Sequence, residues 1–395
     1  MFSFKSSKLF KLNKKSKFKV PTPIINDNLV ITNIFYGKTL PPVGEFPRRT
    51  EIGEILFQSG TSRILSPVNG IAYFDNTQNS VHLRIDGELS FRPNYERQEF
   101  TYLELKTKLD NLGILSLDFS GYLISELMDT FTAGEGSIVV FSPYTQEGHI
   151  DFHSMLYTKL KPEVDAFKST LESIFKKSKV MDFITDKPGP YRYPDGNPRY
   201  FISKKCNQPL EKEFPHKNVL YLGPETLYHI IQALYYNIPF HERHLSVSVI
   251  NKKGVEEGEA RVFRVKNGTN LTHFFDTILK KNNYRYFTIN SIYNKQPVFE
   301  IGAEFLFDFL KHHSIILSES KNPTDVPGMC NDCNDCSYFC PVSADPRALL
   351  DKDKSSFQKD RCLECGLCSV YCPVQIDFYE LIKTSKKDTQ VYAVS

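Results

Sequence analysis

Residues 330–373 hold eight of the chain's nine cysteines, in two runs of identical spacing. They are Cys330-x2-Cys333-x2-Cys336-x3-Cys340-Pro341 and Cys362-x2-Cys365-x2-Cys368-x3-Cys372-Pro373. Three chemistries compete for thiols clustered in this way: disulfides, zinc and iron–sulfur clusters. Disulfides belong to oxidising compartments and mostly to small secreted domains. This chain is long and lysine-rich, and its first residues, MFSFKSSKLFKLNKKSKFK, never offer an uninterrupted apolar stretch. A reduced cytosolic setting is expected, which disfavours disulfides. Zinc usually takes two ligands from one Cys-x-x-Cys knuckle and two from a distant one. Here three thiols come two residues apart, a fourth follows after three, and then proline.

That spacing is similar to the cysteine run of bacterial two-cluster ferredoxins, present here twice. Three closely spaced thiolates on a curled loop can each hold one iron of a cubane, while the fourth points towards the neighbouring cluster. The similarity implies two [4Fe–4S] clusters. One would use Cys330, Cys333 and Cys336 with Cys372; the other would use Cys362, Cys365 and Cys368 with Cys340. Helix signals follow each run: Asp345-Pro346 as an N-cap with proline at the first helical position, and Asp377 with Glu380 three residues on, as in a capping box. The ninth cysteine, Cys206, stands alone in FISKKCNQPL and reads as a partly buried, unreactive thiol.

At 395 residues the chain has material for several domains. A composition of 41% apolar and 24% charged residues is that of a soluble globular protein, and a net charge of +3 gives no reason to expect nucleic acid. No run approaches the length of a membrane span, so membrane contact is expected to be peripheral or through partners. Residues 1–19 carry seven lysines and no acid, interleaved with Phe2, Phe4, Leu9, Phe10, Leu12 and Phe18. Such a segment fits either an arm resting on an anionic surface or a solvated tail.

Five segments are expected. Residues 1–27 form the basic arm. Residues 28–95 alternate short β-like runs with turns and read as a small all-β barrel-sandwich module, with Pro67-Val68-Asn69-Gly70 as a tight hairpin connection. The tip residue of a lipoyl or biotin carrier is lysine, and none lies between Ser66 and Leu83. Residues 96–242 mix strands at 136–141 and 218–221 with helices at 150–174, broken near Pro162, and at 224–236, as in an α/β core. Residues 243–320 read as a small α+β unit with a helix capped near Thr269 or Asn270. Residues 321–395, after a linker at 323–327, form the helical cysteine module. His229, His241 and His244 match no zinc spacing and are expected in hydrogen-bonding or surface roles. The Lys280–Arg285 run reads as a solvated turn.

With those residues in hand, the order of segments from about residue 30 to 385 resembles the C subunit of the Rnf electron-transport complex. More distantly it resembles the flavin- and NADH-binding subunit of respiratory complex I. The double cysteine run is the most specific part of the resemblance. Gly223-Pro-Glu-Thr-Leu-Tyr228 with Pro239-Phe-His-Glu-Arg243 looks like the family's Asn-Val-Glu-Thr-Leu helix and the strand after it. Tyr193-Pro-Asp-Gly196 looks like its Tyr-Pro-x-Gly turn, and Val265-Lys-Asn-Gly-Thr269 like the start of its soluble-ligand-binding β-grasp helix. The resemblance implies a β-barrel, an α/β core, a β-grasp unit and a ferredoxin tail. In the family, NADH passes a hydride to FMN held by a glycine-rich loop, and clusters carry single electrons onward.

This chain departs from the family at that loop. The matching place reads Gly113-Ile-Leu-Ser-Leu-Asp118-Phe119-Ser120-Gly121-Tyr122. Asp118 and Phe119 stand where paired glycines would leave room, and Asp118 would repel a phosphate. The family's acidic segment is reduced to Phe141-Ser-Pro-Tyr144, and its flavin-contacting Asn is Gly223. FMN is therefore not expected. The expected function is an iron–sulfur electron-transfer subunit of a membrane-associated redox complex, peripheral on its cytoplasmic side, with other subunits and redox proteins as partners. Two alternatives stand beside it: an FMN-containing NADH dehydrogenase subunit, and a docking or assembly protein whose clusters are structural.

Overall fold

The computed structural model describes residues 22–23, 28–35, 38–86, 99–119, 122–146, 150–184, 191–210, 215–250, 260–272, 274–275, 284–290, 298–302, 305–319, 329–351 and 355–391. The lysine-rich stretch 1–19, the linker at 323–327 and most of the helix expected after Asn270 lie outside them, as do residues 280–283 of the Lys280–Arg285 run.

The architecture is multidomain in character, mixing α/β with α+β. In the N-terminal part, strands Asn28–Thr32, Ser80–Ile85, Gly70–Asp75 and Arg48–Thr50 pair antiparallel in that order. Alternation explains the first strand: Leu29 and Ile31 point into the core, while Asn28 and Thr32 face out. Two further small pairings, Ile34–Phe35 with Lys38–Thr39 and Ile55–Ser59 with Ser62–Leu65, complete this all-β part. Among the described residues these sheets stay open and none closes into a barrel.

Pro67–Gly70 corrects one expectation. It joins Ser62–Leu65 to Gly70–Asp75, which belong to different sheets, so it is a crossover and not a hairpin turn. Turn chemistry marks where the chain bends but does not fix which strand the next one pairs with. Gly70 is needed for packing: a Cβ there would stand 2.3 Å from the Arg84 carbonyl oxygen.

The α/β part is a three-stranded parallel sheet with Ile138–Phe141 between Lys179–Asp182 and Val219–Leu222. All four residues of the central strand are buried, as expected for a sheet covered on both faces. Val139, Phe141, Leu220 and Leu222 join the main core, and Phe141 stacks on Phe167 of helix Lys161–Ile174. Ile138, Val140, Val219 and Tyr221 face the other way, onto Phe201 and Ile202 of helix Pro198–Lys205. The helix expected at 150–174 is two helices, Phe152–Thr158 and Lys161–Ile174; Pro162 sits in the first turn of the second, where its missing N–H costs nothing. Helix Pro224–Tyr236 starts the same way and ends at Asn237 in the left-handed region (φ 54°).

Strand Glu242–Ile250 is central to a mixed six-stranded sheet. It runs antiparallel to Arg261–Lys266 and parallel to Ser314–Ser318, followed by Tyr286–Ile289 and Phe299–Glu300. Thr22–Pro23 adds to the other edge, parallel to Phe263–Arg264. Two residues of the expected arm are thus part of a sheet.

The cysteine region has its own core, containing Val342, Ala344, Ala348, Leu349, Phe357, Phe378 and Ile382, against which Tyr200 and Leu210 also pack. Its helices are short, Asp335–Tyr338 and Leu367–Val370, apart from Phe378–Val391. Pro346–Leu350 is a 3-10 turn, and Asp345 is left-handed (φ 53°), accepting from Ser337 Oγ at 2.6 Å instead of capping a helix. Asp377 does cap, accepting the Glu380 N–H at 3.3 Å.

Candidate functional site

The two cysteine runs form the same structure twice, at a shift of 32 residues (330 to 362). Left-handed residues recur in register: Asp332 and Glu364 (both φ 56°), Asn334 (φ 60°) and Gly366 (φ 77°), Ser343 (φ 53°) and Gln375 (φ 57°). These bends curl each loop in the same way. The Ala344 N–H donates to Cys340 Sγ at 3.2 Å, and its counterpart Ile376 donates to Cys372 Sγ at 3.3 Å. Ser337 Oγ accepts the Arg347 N–H, and Ser369 Oγ the Tyr379 N–H, each at 3.1 Å. Phe339 and Tyr371, equivalent in the repeat, stack on one another with ring centroids 4.2 Å apart, joining the halves.

The last cysteine of each run interacts electrostatically with cysteines of the other run. Burial raises the Cys336 thiol, and Cys372 and Cys333 add to the shift. Burial pushes Cys365 up to about 12, with Cys362 and Cys340 adding. Burial likewise raises Cys368 and Cys362, and both feel Cys340. So Cys340 lies within electrostatic reach of Cys362, Cys365 and Cys368, and Cys372 within reach of Cys336. Desolvated, mutually repelling thiols are poor places for thiolate charge unless cations neutralise it, which is the chemistry of a metal site.

Eight thiols in this doubled spacing, with backbone N–H groups aimed at the sulfurs of Cys340 and Cys372, are a donor set that fits iron–sulfur clusters.

Three side chains from elsewhere hold the second site. Tyr193, in the turn before helix Pro198–Lys205, donates its hydroxyl to the Cys365 carbonyl at 2.7 Å. Arg199 donates to the carbonyls of Cys362, at 3.2 Å, and Asp360. Lys386 donates to the Cys362 carbonyl at 3.1 Å and pairs with Glu364 at 2.6 Å. Gly196 lets that turn lie against the chain, since a Cβ would come 1.9 Å from the Thr145 carbonyl oxygen. The first site is more open: Cys333 is exposed and Cys330 half-buried, and Met329 and Tyr338 beside it are 94% and 81% exposed. Arg347 pairs there with Asp332 and, at 2.9 Å, with Asp351. Cys206 belongs to a different core, with Phe201 and Tyr221, and its thiol is pushed up to about 11 by burial.

At the altered loop, the Asp118 carboxylate accepts the Gly223 N–H at 2.8 Å and the Thr226 hydroxyl at 2.7 Å. It thus occupies the N-terminus of helix Pro224–Tyr236, where an anionic ligand would otherwise find donors. A Cβ at Gly223 would come 1.9 Å from Asp118 Oδ1, so the glycine admits the carboxylate. The adjoining cavity, lined by Asp118, Thr145, Glu225 and Arg243 among others, measures about 40 Å3. That is room for water and far below the several hundred Å3 of a typical ligand pocket.

One grouping escapes a reading by spacing alone: Glu225, His229 and His244 converge in the core beneath this loop. Burial lowers the pKa of both histidines, so the imidazoles are neutral at pH 7. His241, expected to act alike, bonds the Pro239 carbonyl at 2.7 Å and lies 3.9 Å from the Glu242 carboxylate.

No protein-family model matches the chain, and no curated protein does. Among solved structures, the NAD+-reducing [NiFe]-hydrogenase in the air-oxidized state is similar with a TM-score of 0.36 and 8% identity. The match covers 55% of this chain and 46% of that one, so the chain spans less than half of that protein's length. A likeness that low carries no functional argument. No described helix is long and apolar enough to cross a membrane.

Proposed function

We propose that this chain is an iron–sulfur electron-transfer subunit with two [4Fe–4S] sites. One comprises Cys330, Cys333, Cys336 and Cys372; the other comprises Cys362, Cys365, Cys368 and Cys340. What supports the reading is the doubled C-x2-C-x2-C-x3-C-P spacing with its repeated bends and N–H···S bonds, together with the electrostatic coupling of Cys340 to the second run and of Cys372 to Cys336. A bound cluster supplies single-electron transfer. The chain's own residues do the rest. Burial of Cys362 and Cys368 excludes water from the second site. The Ala344 and Ile376 N–H groups aim at the sulfurs of Cys340 and Cys372 and favour added negative charge. Arg199 and Lys386, against the Cys362 carbonyl, act in the same direction at the second site.

The open first site is the side on which a redox partner exchanges electrons, and the enclosed second site faces the body of the chain. Domains follow the five segments at 1–27, 28–95, 96–242, 243–320 and 321–395, in an order that resembles the Rnf family. The chain serves as a peripheral member of a membrane redox complex, on its cytoplasmic side. It has no flavin site of its own, a reading supported by Asp118 filling the helix N-terminus beside the 40 Å3 cavity.

The test is anaerobic reconstitution with iron and sulfide in the presence of FMN, followed by addition of NADH and then dithionite. Dithionite alone is expected to bleach the cluster absorbance. Bleaching by NADH would instead make the chain a dehydrogenase subunit, and clusters inert to dithionite would make them structural.

A further inference from the structure

Helix Pro224–Tyr236 and strand Glu242–Ile250 meet around a buried group that electron transfer through the cysteines does not use. Glu225 and His229 are four residues apart and so share one face of the helix, and His244 comes from the strand. One ligand atom from each, a carboxylate oxygen and two imidazole nitrogens, all lie within 4.8 Å of one another. All three residues are buried. We propose that Glu225, His229 and His244 bind a divalent transition-metal ion of the zinc type, tying the helix to the sheet.

The strongest observation is at His229. Its Nε2 is buried without a hydrogen-bond partner among the described residues. Two buried histidines outside the group behave differently: His241 bonds the Pro239 carbonyl at 2.7 Å, and His153 the Ile184 carbonyl at 2.8 Å. An unpaired buried nitrogen costs about 1–3 kcal/mol, and a metal ion would give it a partner. Two imidazoles and one carboxylate make a donor set suited to Zn2+, Co2+ or Fe2+.

Arg243 tests the idea most severely, because it already grips Glu225 through Nε at 3.0 Å and Nη2 at 2.9 Å. Each carboxylate oxygen keeps a second lone pair, so the grip leaves sites for a metal. It also fixes the carboxylate's orientation, as outer partners of metal ligands do. The Arg243 guanidinium is itself anchored at the Phe309 carbonyl, 2.9 Å away. Its charge and that of Arg264 oppose a cation, but Asp118 interacts electrostatically with Glu225 and Arg243, and Glu242 with His244. Two acids thus flank the site besides Glu225. Phe240 against His229 and Phe152 against His244, with ring centroids at 4.7 and 5.1 Å, wall it in apolar surface.

The experiment is an anaerobic Co2+ titration of the full, cluster-loaded chain. One Co2+ per chain is expected to bind with weak visible ligand-field bands, to lack the intense sulfur-to-cobalt charge transfer of a thiolate site, and to be displaced by Zn2+. His229→Ala should weaken binding about 100-fold or more, while His241→Ala should leave it unchanged. His229→Gln, which keeps more of the side-chain volume, serves if the alanine variant fails to fold by circular dichroism. Absence of the bands in folded wild-type protein would overturn the proposal. So would a thiolate charge-transfer band as the sole signal, or an affinity untouched by either His229 variant.

Discussion

Asp118 and Gly223 are 105 residues apart in sequence, yet a carboxylate oxygen of one accepts the N–H of the other at 2.8 Å. Burial pushes the Asp118 carboxyl up to about 6, with Glu225 adding; the bonds from Thr226 and Gly223, and Arg243, pull the other way. The folded state therefore holds this proton more tightly than the unfolded chain, whose carboxyl titrates near 3.9. Its contribution to stability is complete below about pH 4 and is lost as pH rises through about 6. Asp118→Asn removes that loss while keeping an oxygen for Gly223. From pH 5 to 7, urea unfolding should show the variant gaining on the wild type, towards a limit of about 3 kcal/mol. A pH-independent difference would contradict the assignment. The residue's charge was visible in the sequence as a departure from a glycine loop. Its partners were not, because sequence separation hides which helix end a loop reaches.

At the scale of elements, the turn Tyr193–Gly196 carries the contact between the body and the second cysteine site. Gly196→Ala would drive a Cβ into the Thr145 carbonyl and move the turn. It should cost about 1–3 kcal/mol and speed iron loss from the second site to a chelator. Tyr193→Phe removes only the bond to the Cys365 carbonyl and should cost about 1 kcal/mol. Equal chelation rates in wild type and both variants would count against this link. Elements with strong local signals were legible: Pro224–Tyr236 begins at the proline that follows Gly223 and ends at Asn237, and both signals are local. Pairing was not legible at Pro67–Gly70, where good turn residues join two sheets. Nor was the cluster of Glu225, His229 and His244, because only the registration of a strand beside a helix brings the third ligand in.

For the whole molecule, the double run of cysteines announced its own duplication, and the geometry repeats it in bends, N–H···S bonds and the Phe339–Tyr371 stack. The proposed ligand assignment crosses between the halves, so that each half would be incomplete without the other. That crossing is the central claim, and residual spectra of single-site variants test it most directly. The reconstituted wild type should carry about eight irons. Cys340→Ala and Cys365→Ala should leave the same electron paramagnetic resonance signal after dithionite reduction, that of the first site. Cys372→Ala and Cys333→Ala should leave the other. If Cys340→Ala instead matches Cys333→Ala, each run holds its own metal and the account is wrong.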